Sequence, residues 1–135
     1  MIKIKYLFYG ILLCGISIVF YLSWLPNPDI GDKPFFPEWL AKWTNSNINL
    51  RTAVPFVFLG LIGDFTYSNS SVPVWKRRAF LLIGLTIIVL LAELGQLIIP
   101  LRHFDPGDIM WGITGAVTGI SAAITLNKIF GSTTR

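Results

Sequence analysis

The chain has 135 residues, of which 53% are hydrophobic and only 13% are charged, with a mean hydropathy of +0.65. A soluble domain carries about 25% charged residues, so this composition excludes a soluble enzyme, a disordered tail and a disulfide scaffold. The length allows a single domain, 1–135, and the one cysteine, Cys14, allows no intrachain disulfide. The net charge of +4 comes from small basic clusters beside apolar runs, so it predicts membrane topology and no nucleic-acid binding.

Four apolar segments are long enough to cross a bilayer, which takes about 20 helical residues. They cover 6–25, 49–67, 79–101 and 108–130, so we expect an all-α integral membrane bundle of four transmembrane helices. The first segment is interpreted as an uncleaved signal anchor, because no small-residue cleavage site follows it and Pro26 ends the helix.

The first loop combines polar and aromatic residues. Trp39 and Trp43 lie four positions apart, which predicts a short amphipathic helix at the membrane interface, where indole rings concentrate. An irregular loop with scattered aromatic residues is the alternative.

The distribution of lysine and arginine favours cytoplasmic N- and C-termini. This orientation places seven basic residues inside and four outside, and the positive-inside rule favours the larger number on the cytoplasmic side. The inner residues are Lys3, Lys5, Lys76, Arg77, Arg78, Lys128 and Arg135, and the outer ones are Lys33, Lys42, Arg51 and Arg102.

Polar residues cluster where the third span ends and the fourth begins. Glu93 and Gln96 share a helix face, and a carboxylate within a span costs several kcal/mol unless it is paired or neutral. We expect an outward-facing polar pocket that binds a polar or anionic ligand or passes a proton, with Arg102 paired to a carboxylate. The pocket residues are Glu93, Gln96, Arg102, Asp105 and Asp108. The alternative is that these groups only tie two helices together.

His103, Asp105 and Asp108 are weak candidates for metal ligands, because their side chains are hard or borderline donors. A solvated loop cluster is the favoured interpretation, so we expect no metal and no cofactor. No nucleophile has a base of its own nearby in the sequence, so no catalytic residue is predicted.

Two further features concern packing. Asp64 lies near the inner end of the second span, and Arg77 or Arg78 is expected to form an interfacial ion pair with it. Small residues in the fourth span allow close helix contact, either within one chain or between two chains. These glycines are Gly112, Gly115 and Gly119.

The second half of the chain resembles the VanZ-like family, small membrane proteins named for one associated with teicoplanin resistance. The matching residues are Glu93-Leu-Gly-Gln96, then Arg102 and Asp108, then Gly115-Ala-Val-Thr-Gly119. The family pattern places E-x-x-Q at the end of one span and an arginine after it. An aspartate then opens the next span, ahead of N-x-x-G-x-x-x-G.

Ser23-x-x-Pro26 and Asn49-Leu with Pro55 are also similar, so the resemblance covers nearly the whole chain. Gly112 stands where the family has asparagine, which leaves one polar member of the pocket in question. The resemblance implies a multi-pass protein of the bacterial cell membrane that acts at the envelope, in the context of glycopeptide resistance, with no defined reaction.

Three functions remain open. The first is a membrane protein whose outward pocket binds a glycopeptide, a lipid headgroup or a cell-wall precursor. The second is a structural or assembly subunit that docks on a larger membrane protein through its glycine face. The third is a small enzyme or proton-coupled carrier, which would have to work as a homo-oligomer because four spans are few for alternating access.

Overall fold

A computed structural model describes residues 2–27, 29, 34, 37–66 and 71–131. The described residues form five helices and no strand: α1 (Ile2–Ser23), α2 (Glu38–Ser46), α3 (Ile48–Thr66), α4 (Val74–Gln96) and α5 (Pro106–Gly131). All except α2 are long and apolar enough to cross a membrane, which confirms the predicted four-span helical bundle. Lys33, Tyr67 and Arg135, which entered the predictions above, lie outside the described residues.

The four long helices alternate in direction, which gives the bundle two distinct ends. The loop end holds the C-terminus of α1, helix α2 and the connection 97–105 between α4 and α5. The termini end holds the start of α1, the start of α4 and the end of α5. The predicted short helix of the first loop is present as α2, which packs against α3 with Ala41 and Thr44 buried and Trp39 exposed.

The closest pair of helices is α3 and α5, and glycine permits this close approach. A Cβ atom at Gly115 would meet the carbonyl oxygen of Ala53, and one at Gly119 would meet that of Val57. Gly60 on α3 lies in the same way against the backbone of Ala116. Small residues let two backbones come close enough for extensive van der Waals contact, which is a main source of helix association in lipid.

The buried core lies where α3 and α5 meet α4. Its fully buried members are Phe56, Leu59, Leu85, Val89 and Ala116. Helix α1 packs against α3 and α4 at the edge of this core, and none of its residues 6–23 is fully buried. The loose packing of α1 leaves a cavity on each of its two sides.

At the termini end, an ion pair joins α3 to α4. Arg78 Nε donates to Asp64 Oδ1 at 2.8 Å, and Arg78 Nη2 donates to Asp64 Oδ2 at 3.1 Å. This bidentate geometry matches the fork of the guanidinium, so of the two predicted basic partners Arg78 takes the pairing.

The boundaries of the third span differ from the prediction. Helix α4 begins at Val74 rather than at residue 79, so Lys76, Arg77 and Arg78 belong to its first turns and not to the preceding loop. It ends at Gln96 rather than at residue 101, because the ring of Pro100 clashes with a helical carbonyl four residues earlier. Helix α5 begins two residues earlier than predicted, with Pro106 in the first helical position, where proline fits best.

Candidate functional site

A cavity of about 430 Å³ opens at the loop end, between α1 and α3 and against the last turns of α4. Its polar lining comes from five elements of the fold: Ser23, Arg51, Thr52, Glu93, Gln96, Arg102 and Asp108. Four of the five predicted pocket residues therefore line one cavity, and Asp105 lies beside it. We refer to this space as the loop-end cavity.

Glu93 is fixed at the centre of the polar lining, with 3% of its surface exposed. Gln96 Nε2 donates to Glu93 Oε1 at 2.8 Å, and the backbone N–H of Asp105 donates to Glu93 Oε2 at 3.1 Å. Gln96 Nε2 also donates to Ser23 Oγ at 3.0 Å, and Ser23 Oγ donates to the carbonyl of Ala92 at 3.3 Å. This network connects α4 to α1 and to the loop, and it satisfies both oxygens of a buried carboxyl group.

Arg102 pairs differently from the prediction. Its Nε donates to the carbonyl oxygen of Leu25 at 2.8 Å, and its Nη2 donates to that of Leu22 at 3.2 Å. The last carbonyls of a helix lack partners within the helix and carry partial negative charge, so a guanidinium stabilises them. Arg102 therefore caps the C-terminal end of α1 and is not bound to a carboxylate of its own hairpin.

The charge of Arg102 is partly desolvated in this position. Burial and the neighbouring positive charge of Arg51 lower the pKa of the Arg102 guanidinium, while the charges of Glu93 and Asp108 act in the opposite direction. Arginine stays protonated at neutral pH even so. The hydrogen bonds to α1 use two of its five N–H donors, so Arg102 retains donors for a ligand.

Leu101 helps to direct Arg102 toward α1. It has a φ of 67°, in the left-handed region that leucine rarely adopts. This turn reverses the chain after α4, and the side chain of the next residue then reaches the end of the first span. The sequence offers no signal for this conformation, since glycine or asparagine is the usual residue there.

Asp105 and Asp108 have separate roles. The Asp105 Oδ1 atom accepts the backbone N–H of Gly107 at 2.7 Å, so its side chain caps the first turn of α5 instead of lining the cavity. Asp108 lines the cavity, and its Oδ1 accepts the Thr52 hydroxyl at 2.8 Å, which connects α5 to α3.

Three lining residues were missed from the sequence, namely Ser23, Arg51 and Thr52, and so was the neighbouring Trp24. The Trp24 indole lies against Gly95, where a Cβ would collide with the ring, and its Nε1 donates to the carbonyl of Ala92 at 3.2 Å. Gly95 is the x-position glycine of the E-x-x-Q motif, so a small residue between Glu93 and Gln96 was the signal available for this contact.

The remaining predicted residues lie apart from the cavity lining. Among the described residues, no group of three or more histidine, cysteine, aspartate or glutamate side chains is placed to hold a metal ion, and this includes His103 with Asp105 and Asp108. Gly112 faces Val89 and Phe56 in the core, where a larger polar side chain would have little room.

From its polar end, the loop-end cavity continues as an apolar channel along α1 and α3. Its walls there include Ile11, Ile18, Phe58 and Ile62. About 16 Å of helix separates Arg51 from Ile62 at a rise of 1.5 Å per residue. This is about half of the ~30 Å hydrocarbon thickness of a bilayer. The cavity therefore has a polar end and an apolar section, and its whole length is close to the depth of one bilayer leaflet.

Comparison with known proteins adds no relative. A scan of protein-family models, a search of curated proteins and a search of solved structures each found no match to this chain.

Proposed function

We propose that this chain is a multi-pass protein of the bacterial cell membrane, of VanZ-like type, that binds an amphiphilic envelope ligand in the loop-end cavity. The polar or anionic headgroup, of a lipid or of a lipid-linked cell-wall precursor, would lie against Arg51 and Arg102. Its hydrocarbon chain would follow the apolar walls of α1 and α3. The observation that carries the proposal is the continuity of a polar and an apolar region within one cavity.

The volume of the cavity favours this class of ligand over a free glycopeptide. Cavities of ~300–1,000 Å³ hold drug-sized molecules, and this one is near the lower limit of that range. A complete glycopeptide antibiotic is larger than such a molecule. A lipid needs only its headgroup and one chain inside the protein, because its other chains stay in the bilayer.

Charge also supports a headgroup ligand. Burial and the neighbouring charge of Arg51 lower the pKa of Arg102, so a phosphate or carboxylate between the two cations would relieve their repulsion. Glu93 and Asp108 accept hydrogen bonds from the protein itself, and both remain within reach of a ligand's hydroxyl or amino groups. A headgroup with both an anion and hydrogen-bond donors suits this lining.

The glycine face of α5 is covered by α3, so a partner subunit would have to dock elsewhere. Gly115 and Gly119 contact the backbone of α3, and a partner helix could reach them only after this pair had separated. We therefore place the function in the cavity rather than in docking through these glycines.

The test is to identify the amphiphiles that purify with the protein. Wild-type protein and four variants are extracted from their own membrane in mild detergent, and bound lipids are quantified by mass spectrometry. Gly15→Leu narrows the channel, since Gly15 lines it and a Cβ there would meet the flexible end of Leu59. Gly10→Leu is the matched control, because a Cβ at Gly10 meets open space outside the cavity lining. Arg102→Ala removes the cation, and Arg102→Lys keeps it.

The expected result is one amphiphile species in near-stoichiometric amount with wild type and Gly10→Leu. The bound amount of this species should fall about tenfold or more in Arg102→Ala, because a charge-assisted contact is lost. It should fall by a similar factor in Gly15→Leu, because the channel is narrower. Arg102→Lys should retain an intermediate amount. The same lipid profile in all five folded proteins would contradict the proposal.

A further inference from the structure

A second cavity, of about 440 Å³, lies on the other side of α1, at the termini end. Its walls are the apolar side chains Leu12 and Ile16 of α1 and Phe80, Leu81, Leu85 and Ile88 of α4. Arg77 and Gly84 complete the lining on α4. We refer to this space as the termini-end cavity, and it shares no lining residue with the loop-end cavity.

Arg77 is the charged group of this cavity. Its Nε and Nη1 atoms are buried and have no hydrogen-bond partner within the described part of the chain. A buried charged donor without an acceptor is destabilising, so a guanidinium in an apolar wall calls for an anionic partner.

The neighbouring charged side chains of the described chain have other contacts, so the anionic partner of Arg77 has to come from a ligand. Arg78 occupies both oxygens of Asp64, the acidic residue of the described chain at this end of the bundle. Lys76 is exposed, and its ammonium lies 5.4 Å from the ring centroid of Trp75. Of these three consecutive basic residues, Arg77 is the one whose side chain lines the termini-end cavity.

The length of the cavity matches one hydrocarbon chain of a bilayer leaflet. About 16 Å of helix separates Arg77 from Ile88 at 1.5 Å per residue. The hydrocarbon core of a bilayer is about 30 Å thick, so this distance reaches from its surface to its midplane. The cation lies at the surface end and the apolar walls continue inward, as in a phospholipid with its phosphate outermost.

We propose that the termini-end cavity binds an anionic phospholipid of the adjacent leaflet. The lipid phosphate pairs with the guanidinium of Arg77, and one acyl chain lies between α1 and α4. The two cavities on either side of α1 then hold lipid from opposite leaflets. This site is independent of the ligand proposed for the loop-end cavity, because it depends on different residues.

The experiment titrates phosphatidylglycerol into the full-length protein in detergent and counts the bound lipids by native mass spectrometry. Phosphatidylcholine with the same acyl chains tests the need for negative charge, and glycerol phosphate tests whether a free phosphate suffices. Arg77→Gln removes the cation, and Lys76→Gln removes an adjacent exposed one as the matched control. Gly84→Leu fills the cavity without a clash, since a Cβ there meets nothing within 4 Å, and Gly10→Leu is its control.

Wild type, Lys76→Gln and Gly10→Leu should bind phosphatidylglycerol about tenfold more tightly than phosphatidylcholine, and Arg77→Gln should lose this preference. Gly84→Leu should lose one bound lipid with Arg77 still in place, and Arg77→Lys should regain part of the preference. If Arg77→Gln does not fold, Gly84→Leu against Gly10→Leu decides the question alone. Equal losses in Lys76→Gln and Arg77→Gln, no loss in Gly84→Leu, or equally tight binding of glycerol phosphate would overturn the proposal.

Discussion

Asp64, Glu93 and Asp108 lie within candidate membrane spans, and each accepts a hydrogen bond from another part of the chain. Arg78 holds Asp64, Gln96 and the loop backbone hold Glu93, and Thr52 holds Asp108. A carboxylate in the bilayer is costly, so such residues pair or face a cavity. Asp64 forms an ion pair that joins two helices at one end of the bundle, while Glu93 and Asp108 line a cavity at the other end.

The two members of the Asp64–Arg78 pair should differ in the effect of their removal. Asp64 is 5% exposed, so Arg78→Met leaves a buried carboxyl group without its donor and should lower the free energy of unfolding by about 3 kcal/mol. Asp64→Asn keeps an acceptor and leaves Arg78 able to reach water, so its cost should be about 1 kcal/mol. Thermal unfolding of both variants in the same detergent measures the difference, and an equal or reversed order would be inconsistent with a buried acid.

At the residue scale, the sequence showed which polar side chains cost free energy to bury in a membrane, but not always which groups they would contact. Glu93 and Gln96 could be placed on one face because three positions separate them within a helix. The partner of Arg102 could not be predicted, because it depends on the left-handed conformation of Leu101 and on where α1 ends against the loop. Main-chain carbonyls carry no sequence signal, so a carboxylate was the natural but wrong expectation.

At the scale of the elements, hydropathy and length were sufficient to find all four spanning helices, because a helix is the only isolated segment that satisfies its backbone in lipid. Exact ends were less predictable. The basic residues 76–78 suggested a loop, yet they lie in the first turns of α4. Long side chains reach water or a carboxylate from inside a helix, so charge alone does not end one.

The contact between α3 and α5 should depend on glycine at position 119. Gly119→Leu would force a side chain into the backbone of Val57, which cannot move as a flexible side chain can. We expect a loss of about 3 kcal/mol or more, or loss of the folded monomer in gel filtration. Gly10→Leu is the control on α1, since a Cβ at Gly10 meets nothing within 4 Å, and its melting temperature should stay within a few degrees of wild type. Equal melting temperatures of the two variants would contradict this prediction, because they would show that α3 and α5 can move apart without a loss of stability.

At the scale of the whole molecule, the bundle has two unlike ends, and the balance of basic residues predicts that the termini end faces the cytoplasm. With Cys14 replaced by serine, single cysteines at exposed positions can test this assignment. His103→Cys should react with a membrane-impermeant maleimide in intact cells, because it lies at the loop end. Trp75→Cys, exposed at the termini end, should react only after permeabilisation. The opposite labelling pattern would show that the orientation is inverted and that the loop-end cavity faces the cytoplasm.

The loose position of α1 is the property of the whole fold that creates both cavities. It could not be predicted from the sequence, because α1 is as apolar as a buried helix and its hydropathy does not distinguish lipid from protein as a neighbour. Helices α3, α4 and α5 form the packed core, and α1 closes over it incompletely. The space that remains on both sides of α1 has mostly apolar walls, as the proposed acyl chains require.

The central claim is that a ligand's hydrocarbon chain occupies the loop-end cavity while its headgroup is held by Arg102. Photocrosslinking from two positions on α1 tests it most directly: Ile18, which lines the cavity, and Leu13, which is exposed outside it. A benzophenone amino acid is placed at each position, with and without Arg102→Ala, and the crosslinked lipid is quantified in native membrane. The account predicts that Arg102→Ala removes most of the crosslink at Ile18 and leaves that at Leu13 unchanged. Equal crosslinking at both positions, unaffected by Arg102→Ala, would contradict it.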